Sequence, residues 1–403
     1  MEQSLTDEQL IATAKDFGTP LYVYHAEKIG EQYQKLIDAF SSHTSRFFYA
    51  CKSLSNLHIL KYVHSLGAGL DCVSINEVKL GLMAGFEPAA ILFTPNCVDF
   101  AEIDEGKALG VHLNIDNISI LEQFGNKYGG SYPICIRLNP HIMAGGNFKI
   151  STGHIDSKFG ISIHQVRHIE RIVKTTGLHV EGIHMHTGSE IKDINVFLQG
   201  LEIMFSMATH FPQLKYIDLG SGFKVPYQDG DVETDVAQLG KNVAAAFKTF
   251  EAETGKKLDV WFEPGKYLVS QAGFFVVKAN VIKQTTATVF VGVNSGFNHL
   301  IRPMFYESYH EIRNISNPVG PERIYTVVGN ICETDTFAWD RKLNEVREGD
   351  LLVFYNAGAY GFEMSSNFNS RLKPAEVLVQ NGSARLIRHR DAFDDLLKNI
   401  VME

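Results

Sequence analysis

The chain has 403 residues, of which 45% are hydrophobic, and its formal net charge is −9 at pH 7. A chain of this length is expected to form two domains. No apolar run approaches the roughly 20 residues of a membrane helix, and the N-terminal segment MEQSLTDEQL lacks the pattern of a signal peptide. The acidic balance disfavours a broad nucleic-acid surface. We therefore expect a cytoplasmic protein without a membrane or nucleic-acid partner.

The five cysteines are odd in number and widely spaced, at positions 51, 72, 97, 135 and 332. This distribution indicates reduced thiols rather than a disulfide framework. No zinc-type spacing of cysteines and histidines is present. The sequence therefore predicts no metal site.

The elements of the first two thirds of the chain alternate between short β-rich runs and longer helical patterns, which is typical of βα units. The predicted strands are RFFYAC (46–51), AGLDCV (68–73), AILFTP (90–95), VHLNID (111–116), PICIRL (133–138), VEGIHMHT (180–187), YIDLG (216–220) and DVWFE (259–263). After the second run, Ser74 and Glu77 form a capping-box pattern, and Gly85 predicts the helix end. Eight units match a (β/α)8 TIM-type barrel. A doubly wound open sheet is the competing arrangement.

The last third of the chain has a different pattern, in which strands follow one another with few helical spacers. It begins near residue 273 with FFVVKANVIKQ and continues through TATVFVGV, RIYTVVG, DLLVFY and AEVLVQNG. This succession predicts an all-β domain. The early segment TPLYVYH, residues 19–25, is also strand-like and is assigned to that domain. The predicted domains are residues 25–272 for the barrel, with residues 1–24 and 273–403 for the β domain.

Polar side chains gather where the predicted barrel strands end, and in a barrel these ends share one mouth. They are Lys52, Asp71, Arg137, His186, Gly188, Ser189, Gly220, Ser221, Gly222, Glu263, Gly265 and Lys266. A Gly-Ser-Gly turn after a strand lets backbone N–H groups approach an anion, and Ser189 adds a hydroxyl donor. A lysine, an anion cradle, an imidazole and a carboxylate together are the groups that pyridoxal phosphate requires.

The chain resembles the alanine-racemase-like, fold-type III class of pyridoxal-phosphate enzymes, and within it the diaminopimelate decarboxylases. The matching stretches are FFYACKS, LDCVSINEV, STGHIDSKFG, HMHTGSEI, DLGSGF, FEPGK, SGFNHLIRPMFY, CETD, GAYG and SSNFNSRLKPAEV. They follow the family's order and spacing from about residue 20 to about residue 380. This order is far more specific than any single motif.

The resemblance implies roles for the barrel residues. Lys52 would hold pyridoxal 5′-phosphate as a Schiff base, Glu263 would keep the pyridine nitrogen protonated, and His186 would stack on the ring. Ser189, Gly220, Gly222, Gly265 and Lys266 would contact the cofactor, together with Tyr360 of the β domain. His184 is expected to pack, and Asp71, Arg137 and His186 are expected to form a charged network beneath the ring.

The resemblance also implies roles for residues of the β domain. Cys332 would be the general acid, and it would come with Glu333 from the other subunit of a homodimer. Arg302, Tyr306, Glu333, Tyr360 and Lys266 would bind the substrate. A guanidinium can clamp a carboxylate and a carboxylate can pair with an ammonium, so Arg302 and Glu333 would recognise a second amino-acid head.

The expected reaction is decarboxylation of meso-2,6-diaminopimelate to L-lysine and carbon dioxide, the last step of lysine biosynthesis. The alternative is a decarboxylase for another diamine-type amino acid, namely carboxynorspermidine, ornithine or lysine. An amino-acid racemase, a non-catalytic relative and a Schiff-base aldolase are further alternatives that fit the residues less well. A racemase of this class uses an arginine at the position of Glu263.

Two further features bear on the predicted site. Lys266 stands where the family usually has arginine, so it keeps the charge and loses the planar fork. The segment from His141 to Gly160 is long for a βα loop and rich in glycine, so we expect it to be a lid over the mouth, with Ser157 to Gly160 as its anchored end.

Overall fold

A computed structural model describes residues 4–142 and 157–402. The chain forms two compact units. The first comprises Met1–Ile29, Pro226–Asp231 and Leu268–Glu403, and the second comprises Gly30–Val225 and Val232–Tyr267. The predicted domain boundaries, 25–272 against 1–24 and 273–403, stay a prediction.

The larger unit contains a closed barrel of eight parallel strands. They are β2 (Ser45–Ala50), β3 (Gly69–Cys72), β4 (Ile91–Phe93), β5 (His112–Ile115), β6 (Ile134–Asn139), β8 (Val180–His184), β9 (Tyr216–Asp218) and β10 (Asp259–Phe262). Their order is β5-β4-β3-β2-β10-β9-β8-β6, and the pairing of β5 with β6 closes the ring. The short strand β7 (Ile161–Ser162) pairs with β6. All eight predicted strands and the barrel are confirmed, and the open sheet is excluded.

Most of the helices connect barrel strands, and others lie in the smaller unit. In chain order the helices of the described residues are α1 (Asp7–Phe17), α2 (Ala26–Ala39), α3 (Leu57–Ser65), α4 (Ile75–Ala84), α5 (Phe100–Ala108), α6 (Ile118–Tyr128), α7 (Val166–Thr176), α8 (Ile194–Ala208), α9 (Val236–Thr254), α10 (Lys266–Val269), α11 (Arg302–Tyr306) and α12 (Phe393–Leu397). None of them is long and apolar enough to cross a bilayer.

Helix α4 shows how local sequence sets the bounds of a barrel helix. Ser74 Oγ accepts the Glu77 N–H at 3.2 Å, and the Glu77 carboxylate accepts the Val73 N–H at 2.7 Å. The predicted capping box therefore reaches back one residue further than expected. Gly85 ends the helix with φ 101°, a left-handed conformation that favours glycine.

The smaller unit contains a mixed sheet. Its strands are β1 (Leu21–His25), β11 (Gly273–Gln284), β12 (Val289–Val293), β13 (Ile312–Asn314), β14 (Glu322–Val328), β15 (Thr336–Asn344), β16 (Leu351–Phe354), β17 (Ala375–Gln380) and β18 (Ser383–Arg388). The main path is β15-β14-β12-β11-β1-β17-β18, and β16 pairs with β11 and β13. The N-terminal strand β1 thus lies between β11 and β17, which confirms its assignment to the β domain.

The expected lid, residues 141–160, falls mostly on residues 143–156, which lie outside the described residues. Its C-terminal end leads directly into β7, whose pairing with β6 fixes it to the barrel. A Cβ on Gly160 would lie 3.0 Å from the backbone of Leu138 and Asn139. This close approach anchors the end of the segment against β6.

Candidate active site

The barrel interior is built in layers, and one apolar layer supports the candidate site. Its buried residues are Phe48, Leu92, Cys135, Tyr216 and Trp261, which pack together from five strands. Side chains on a strand alternate between its two faces. The residues two positions further along these strands therefore face the same interior, one layer nearer the mouth. They are Ala50, Thr94, Arg137, Asp218 and Glu263.

Lys52 lies just after β2, in a short helical turn over Cys51–Ser53. Its Nζ lies 3.8 Å from the Asp71 Oδ2, and its side chain is 40% exposed. Burial and the neighbouring Glu263 carboxylate raise the pKa of Asp71 to about 7, although Lys52 opposes the shift. Lys52 therefore has a buried acidic neighbour on one side and access to the mouth on the other.

The turns after β8 and β9 form a concave backbone surface. Gly220 and Gly222 have φ values of 63° and 115°. A Cβ on Gly220 would lie 2.7 Å from the Met185 carbonyl oxygen, and one on Gly222 would lie 2.4 Å from the Gly188 carbonyl oxygen. Only glycine fits both the conformation and the space. Ser189 is partly exposed in the turn after β8.

His186 faces this concave surface. The Ser221 N–H donates to the His186 Nδ1 at 3.3 Å, which places the ring proton on Nε2. Burial and then the Lys52 and Arg137 charges lower the pKa of His186 to about 3. The imidazole is therefore neutral at physiological pH and presents a flat ring.

Glu263 follows β10 and is buried. Its Oε2 accepts a hydrogen bond from the His184 Nε2 at 3.2 Å. Burial acts to raise the pKa of Glu263, but His184 and the Lys52 charge outweigh it and lower the value to about 2. Glu263 is therefore ionised. His184 is fully buried, as its expected packing role requires, but its contact with Glu263 also makes it part of the site, which the sequence interpretation missed.

Arg137 lies on the inward face of β6 and is buried. Its guanidinium carbon lies 4.7 Å from the centre of the Phe159 ring. Burial lowers the pKa of Arg137, and the charges of Glu263, Asp116, Asp71 and Asp218 oppose that shift. The structure therefore brings the expected members of the charged network, Asp71, Arg137 and His186, to one end of the barrel.

Lys266 and Gly265 follow Glu263 at the start of α10. The Lys266 Nζ lies 2.8 Å from the Glu190 Oε1, and the two side chains are 10% and 30% exposed. Glu190 has φ 62°, a left-handed conformation that is rare for a residue with a Cβ. A Cβ on Gly265 would lie 2.1 Å from the Ser53 Oγ. The turns carrying Lys52 and Lys266 are thus in direct contact.

Three predicted substrate-binding residues lie together in the smaller unit. Arg302 is buried, and its Nη2 donates to the Ser308 Oγ at 3.2 Å and to the Tyr227 hydroxyl oxygen at 3.4 Å. The guanidinium carbon lies 5.9 Å from the Tyr306 ring centre and 6.0 Å from the Tyr360 ring centre. A guanidinium framed by aromatic rings is suited to clamping a carboxylate.

Cys332 and Glu333 lie on an exposed segment of the same unit. The Cys332 N–H donates to the Asn369 Oδ1 at 2.9 Å. Asp335 anchors the segment, because its carboxylate accepts the Phe297 N–H at 2.7 Å and the Ile331 N–H at 3.1 Å. The thiol and the carboxylate are therefore presented outward on a fixed backbone.

Comparison with known proteins supplies the family. The model of the pyridoxal-binding domain of the pyridoxal-dependent decarboxylases matches residues 26–270. A diaminopimelate decarboxylase from Methanothermobacter thermautotrophicus is 38% identical over 96% of this chain and 93% of its own. One from Campylobacter jejuni is 35% identical over 94% of this chain and 96% of its own. The chain belongs to the diaminopimelate decarboxylase family.

Solved structures of the diaminopimelate decarboxylase family share the fold along nearly the whole chain. The Helicobacter pylori diaminopimelate decarboxylase in complex with L-lysine is 31% identical, with a TM-score of 0.87 over 97% of this chain and 98% of its own. A lysine/ornithine decarboxylase from Vibrio vulnificus with putrescine is 21% identical, with a TM-score of 0.81. The latter likeness is evidence of the fold alone.

The residues of the barrel mouth fit pyridoxal phosphate, the cofactor of the diaminopimelate decarboxylase family. The glycine turns leave a cradle that any Cβ would fill. Both carboxylate oxygens of Asp71 are buried without a hydrogen-bond partner, and an ionised Glu263 matches a protonated ring nitrogen. His184, Asp218 and Glu263 also place one possible metal-ligand atom each within 4.8 Å of the others, but the same Glu263 carboxylate would be required by the ring nitrogen of the cofactor.

Proposed function

We propose that this chain catalyses the decarboxylation of meso-diaminopimelate at its D-centre, producing L-lysine and carbon dioxide with pyridoxal phosphate as cofactor. The observation that carries the proposal is the family match over nearly the full length, together with the lysine, glycine cradle and ionised glutamate at one barrel mouth. The bound cofactor supplies an electron sink for the carbanion that forms when carbon dioxide leaves.

The barrel residues have distinct proposed roles in holding the cofactor. Lys52 Nζ would hold it covalently. The Gly220 and Gly222 backbone and the Ser189 hydroxyl receive its phosphate, with Gly265 and Lys266 beside them. His186 would stack as a neutral ring, and the ionised Glu263 carboxylate would accept a hydrogen bond from the ring nitrogen and so keep it protonated.

The residues of the smaller unit have proposed roles in substrate selection and proton transfer. Arg302 clamps the distal carboxylate of the substrate, with Tyr306 and Tyr360 beside it, and Glu333 pairs with the distal ammonium. The Cys332 Sγ–H donates a proton to the carbon from which carbon dioxide has left. An ornithine-type substrate has no distal carboxylate, so Arg302 would be left buried without its anion.

We also propose that the protein is a homodimer in which Cys332 and Glu333 act at the site of the partner subunit. The exposure of Cys332 supports this, because a general acid works best where water is excluded. A cytoplasmic location suits the five cysteines, which form no disulfide among the described residues.

The test is an absorption spectrum of the purified protein loaded with pyridoxal phosphate, followed by carbon dioxide release from meso-diaminopimelate. We expect a near-visible band that Lys52→Ala abolishes, and release from meso-diaminopimelate at least tenfold faster than from ornithine, lysine or carboxynorspermidine. A missing band in the wild-type protein would overturn the cofactor assignment. A band with faster release from one of the other substrates would overturn the substrate assignment.

A further inference from the structure

Asp218 is a buried carboxyl group for which the proposed mechanism has no use. It is the last residue of β9 and is only 1% exposed. Its Oδ1 accepts the N–H of Gly220, the first glycine of the phosphate turn, at 2.8 Å. It also lies in the group with His184 and Glu263, whose polar atoms are within 4.8 Å of one another. The Asp218 side chain therefore accepts a hydrogen bond from the turn at Gly220 and also lies near the Glu263 carboxylate.

The charges around Asp218 determine which form of its carboxyl group is stable. Asp71, Asp218 and Glu263 are buried carboxyl groups whose charges act on one another, and Lys52 and Arg137 are the cationic groups beside them. The buried Asp116 is a further carboxyl group near Arg137. Burial lowers the pKa of His184, so this ring supplies no compensating charge. A third ionised carboxylate would be left uncompensated in a water-poor site, which is costly. One of the three carboxyls must therefore hold a proton.

The proton falls to Asp218 rather than to Glu263. Burial, followed by the negative charge of Glu263, raises the pKa of Asp218 well above its usual range. The hydrogen bond that His184 donates and the charge of Lys52 lower the pKa of Glu263. Asp71 has the Lys52 Nζ at 3.8 Å as a partner. The geometry agrees, because a carboxyl whose Oδ1 already accepts a backbone N–H has its other oxygen available as a donor.

We propose that Asp218 is a positioning residue that works as a neutral carboxylic acid, accepting from Gly220 at Oδ1 and donating from Oδ2 to the Glu263 carboxylate. His184 donates to the same carboxylate from the other side. Because the Glu263 N–H also donates to the Gly220 carbonyl oxygen at 2.7 Å, the phosphate turn and the carboxylate for the ring nitrogen are held at a fixed separation. This inference rests on the proposed cofactor site and extends it.

The test compares Asp218→Asn with Asp218→Ala in the full chain. Asparagine has no charge and offers an oxygen acceptor and an N–H donor in nearly the same positions, so the dissociation constants of pyridoxal phosphate and inorganic phosphate should stay within about threefold of wild type. Alanine removes both hydrogen bonds, so the pyridoxal-phosphate constant should rise about tenfold or more. The cofactor band of Asp218→Ala should also titrate at a different pH. Asparagine values as poor as those of alanine would overturn the proposal, since the site would then need a charged Asp218.

A second measurement does not depend on whether the variants fold. Infrared spectra of wild-type holoenzyme with ¹³C-labelled aspartate should show the carbonyl stretch of a protonated aspartic acid at pH ~9, where Asp71, with a pKa of about 7, is ionised. Absence of that band would overturn the proposal. Neither measurement uses a substrate, so failure to decarboxylate meso-diaminopimelate would overturn the proposed function and leave the result for Asp218 standing.

Discussion

At the scale of single residues, the Lys266–Glu190 ion pair distinguishes this chain from the family pattern of arginine after Glu-Pro-Gly. The pair joins the turn after β10 to the turn after β8, with the Nζ and Oε1 atoms 2.8 Å apart and the lysine largely buried. A lysine is a compact charge without the bidentate fork of arginine. A carboxylate that already holds this charge competes with any phosphate that approaches it.

We predict that Glu190→Gln and Lys266→Gln shift anion affinity in opposite directions. Glu190→Gln removes a negative charge beside Lys266, so inorganic phosphate and pyridoxal phosphate should bind about fivefold more tightly, equivalent to about 1 kcal/mol. Lys266→Gln should weaken both. Dissociation constants at low and high salt check this, since the gain should shrink with ionic strength. If both variants weaken binding equally, the pair only holds the two turns together.

Because His186 is neutral in the folded protein, we predict that it makes the free energy of unfolding depend on pH. Its folded-state pKa of about 3 is below the usual value near 6.5, so the unfolded chain binds more protons between these values. The contribution of His186 to the free energy of unfolding is therefore complete above pH 6.5 and falls as the pH decreases toward 3. Between pH 6.5 and pH 5 the loss from this residue should reach at most about 2 kcal/mol.

Urea unfolding of the cofactor-free protein at pH 7.5 and pH 5 measures this loss. We expect His186→Gln to reduce the difference in unfolding free energy between the two pH values. Glu263 has a pKa of about 2, so its contribution to the free energy of unfolding decreases only below the usual value of 4.5. Glu263 therefore does not add to the difference between pH 7.5 and pH 5. A variant with the same pH dependence as wild type would show that His186 is protonated in the folded protein.

At the scale of elements, strand alternation explains both the success and the gaps of the sequence interpretation. Each polar side chain in the layer nearer the mouth lies two positions after a residue of the apolar layer below it. Glu263 follows Trp261 in this way, and Arg137 follows Cys135. The β-rich runs and their polar ends were visible in the sequence, so the barrel and its mouth could be predicted. The β domain followed from strands in close succession.

The strand ends alone did not indicate that residues inside the strands also contact the site. His184 and Asp218 are inside their strands by the sequence pattern, and an interior position normally indicates packing. A usable signal was present, since Asp218 stands two residues before Gly220 and so faces the same side of the strand. The ion pair of Glu190 with Lys266 depends on loop conformation, which no strand or helix pattern specifies.

The contact between the turn that carries Lys52 and the turn that carries Gly265 gives a further prediction. A Cβ on Gly265 would lie 2.1 Å from the Ser53 Oγ and 3.0 Å from the Ala50 Cβ, so Gly265→Ala should displace the turn that carries Lys52. We expect a loss of about 1–3 kcal/mol in unfolding free energy from overpacking, and weaker cofactor loading measured from the absorption band.

The matched control for Gly265→Ala is Ser53→Ala, which removes the Oγ atom that the new Cβ would approach. Ser53→Ala alone should be close to wild type, because the Ser53 Oγ has no hydrogen-bond partner. The double variant Ser53→Ala/Gly265→Ala should regain part of the lost stability and cofactor loading, since the nearest remaining contact is 3.0 Å. Strict additivity of the two substitutions would show that the loss has another origin.

At the scale of the whole molecule, the proposed site residues belong to two compact units, and two of them are exposed. Lys52, Glu263 and the glycine cradle lie in the barrel unit, whereas Arg302 and Cys332 lie in the other. Arg302 is buried among tyrosines, but Cys332 is exposed. A single sequence gives no spacing from which to infer that a residue acts in a partner subunit, so that expectation came from the family resemblance alone.

We predict that two inactive variants restore activity when their subunits are mixed. Lys52→Ala removes the proposed cofactor lysine from one barrel, and Cys332→Ala removes the proton donor that, by the proposal, the same chain contributes to its partner. In a dimer of one chain of each variant, one site then carries both substitutions and the other site carries neither. Random pairing in a two-fold dimer should recover about a quarter of wild-type carbon dioxide release in the unfractionated mixture, and about half in the hybrids isolated with two affinity tags after co-expression.

The control for this mixing experiment is a pair of variants whose lesions both lie in the barrel. Lys52→Ala mixed with Glu263→Ala leaves one lesion in each site, so no activity should return. The same null result for Lys52→Ala with Cys332→Ala, in hybrids whose dimeric mass is verified by light scattering, would place Cys332 at the site of its own chain. Recovery confined to the first mixture follows only if each site takes its lysine from one subunit and its thiol from the other.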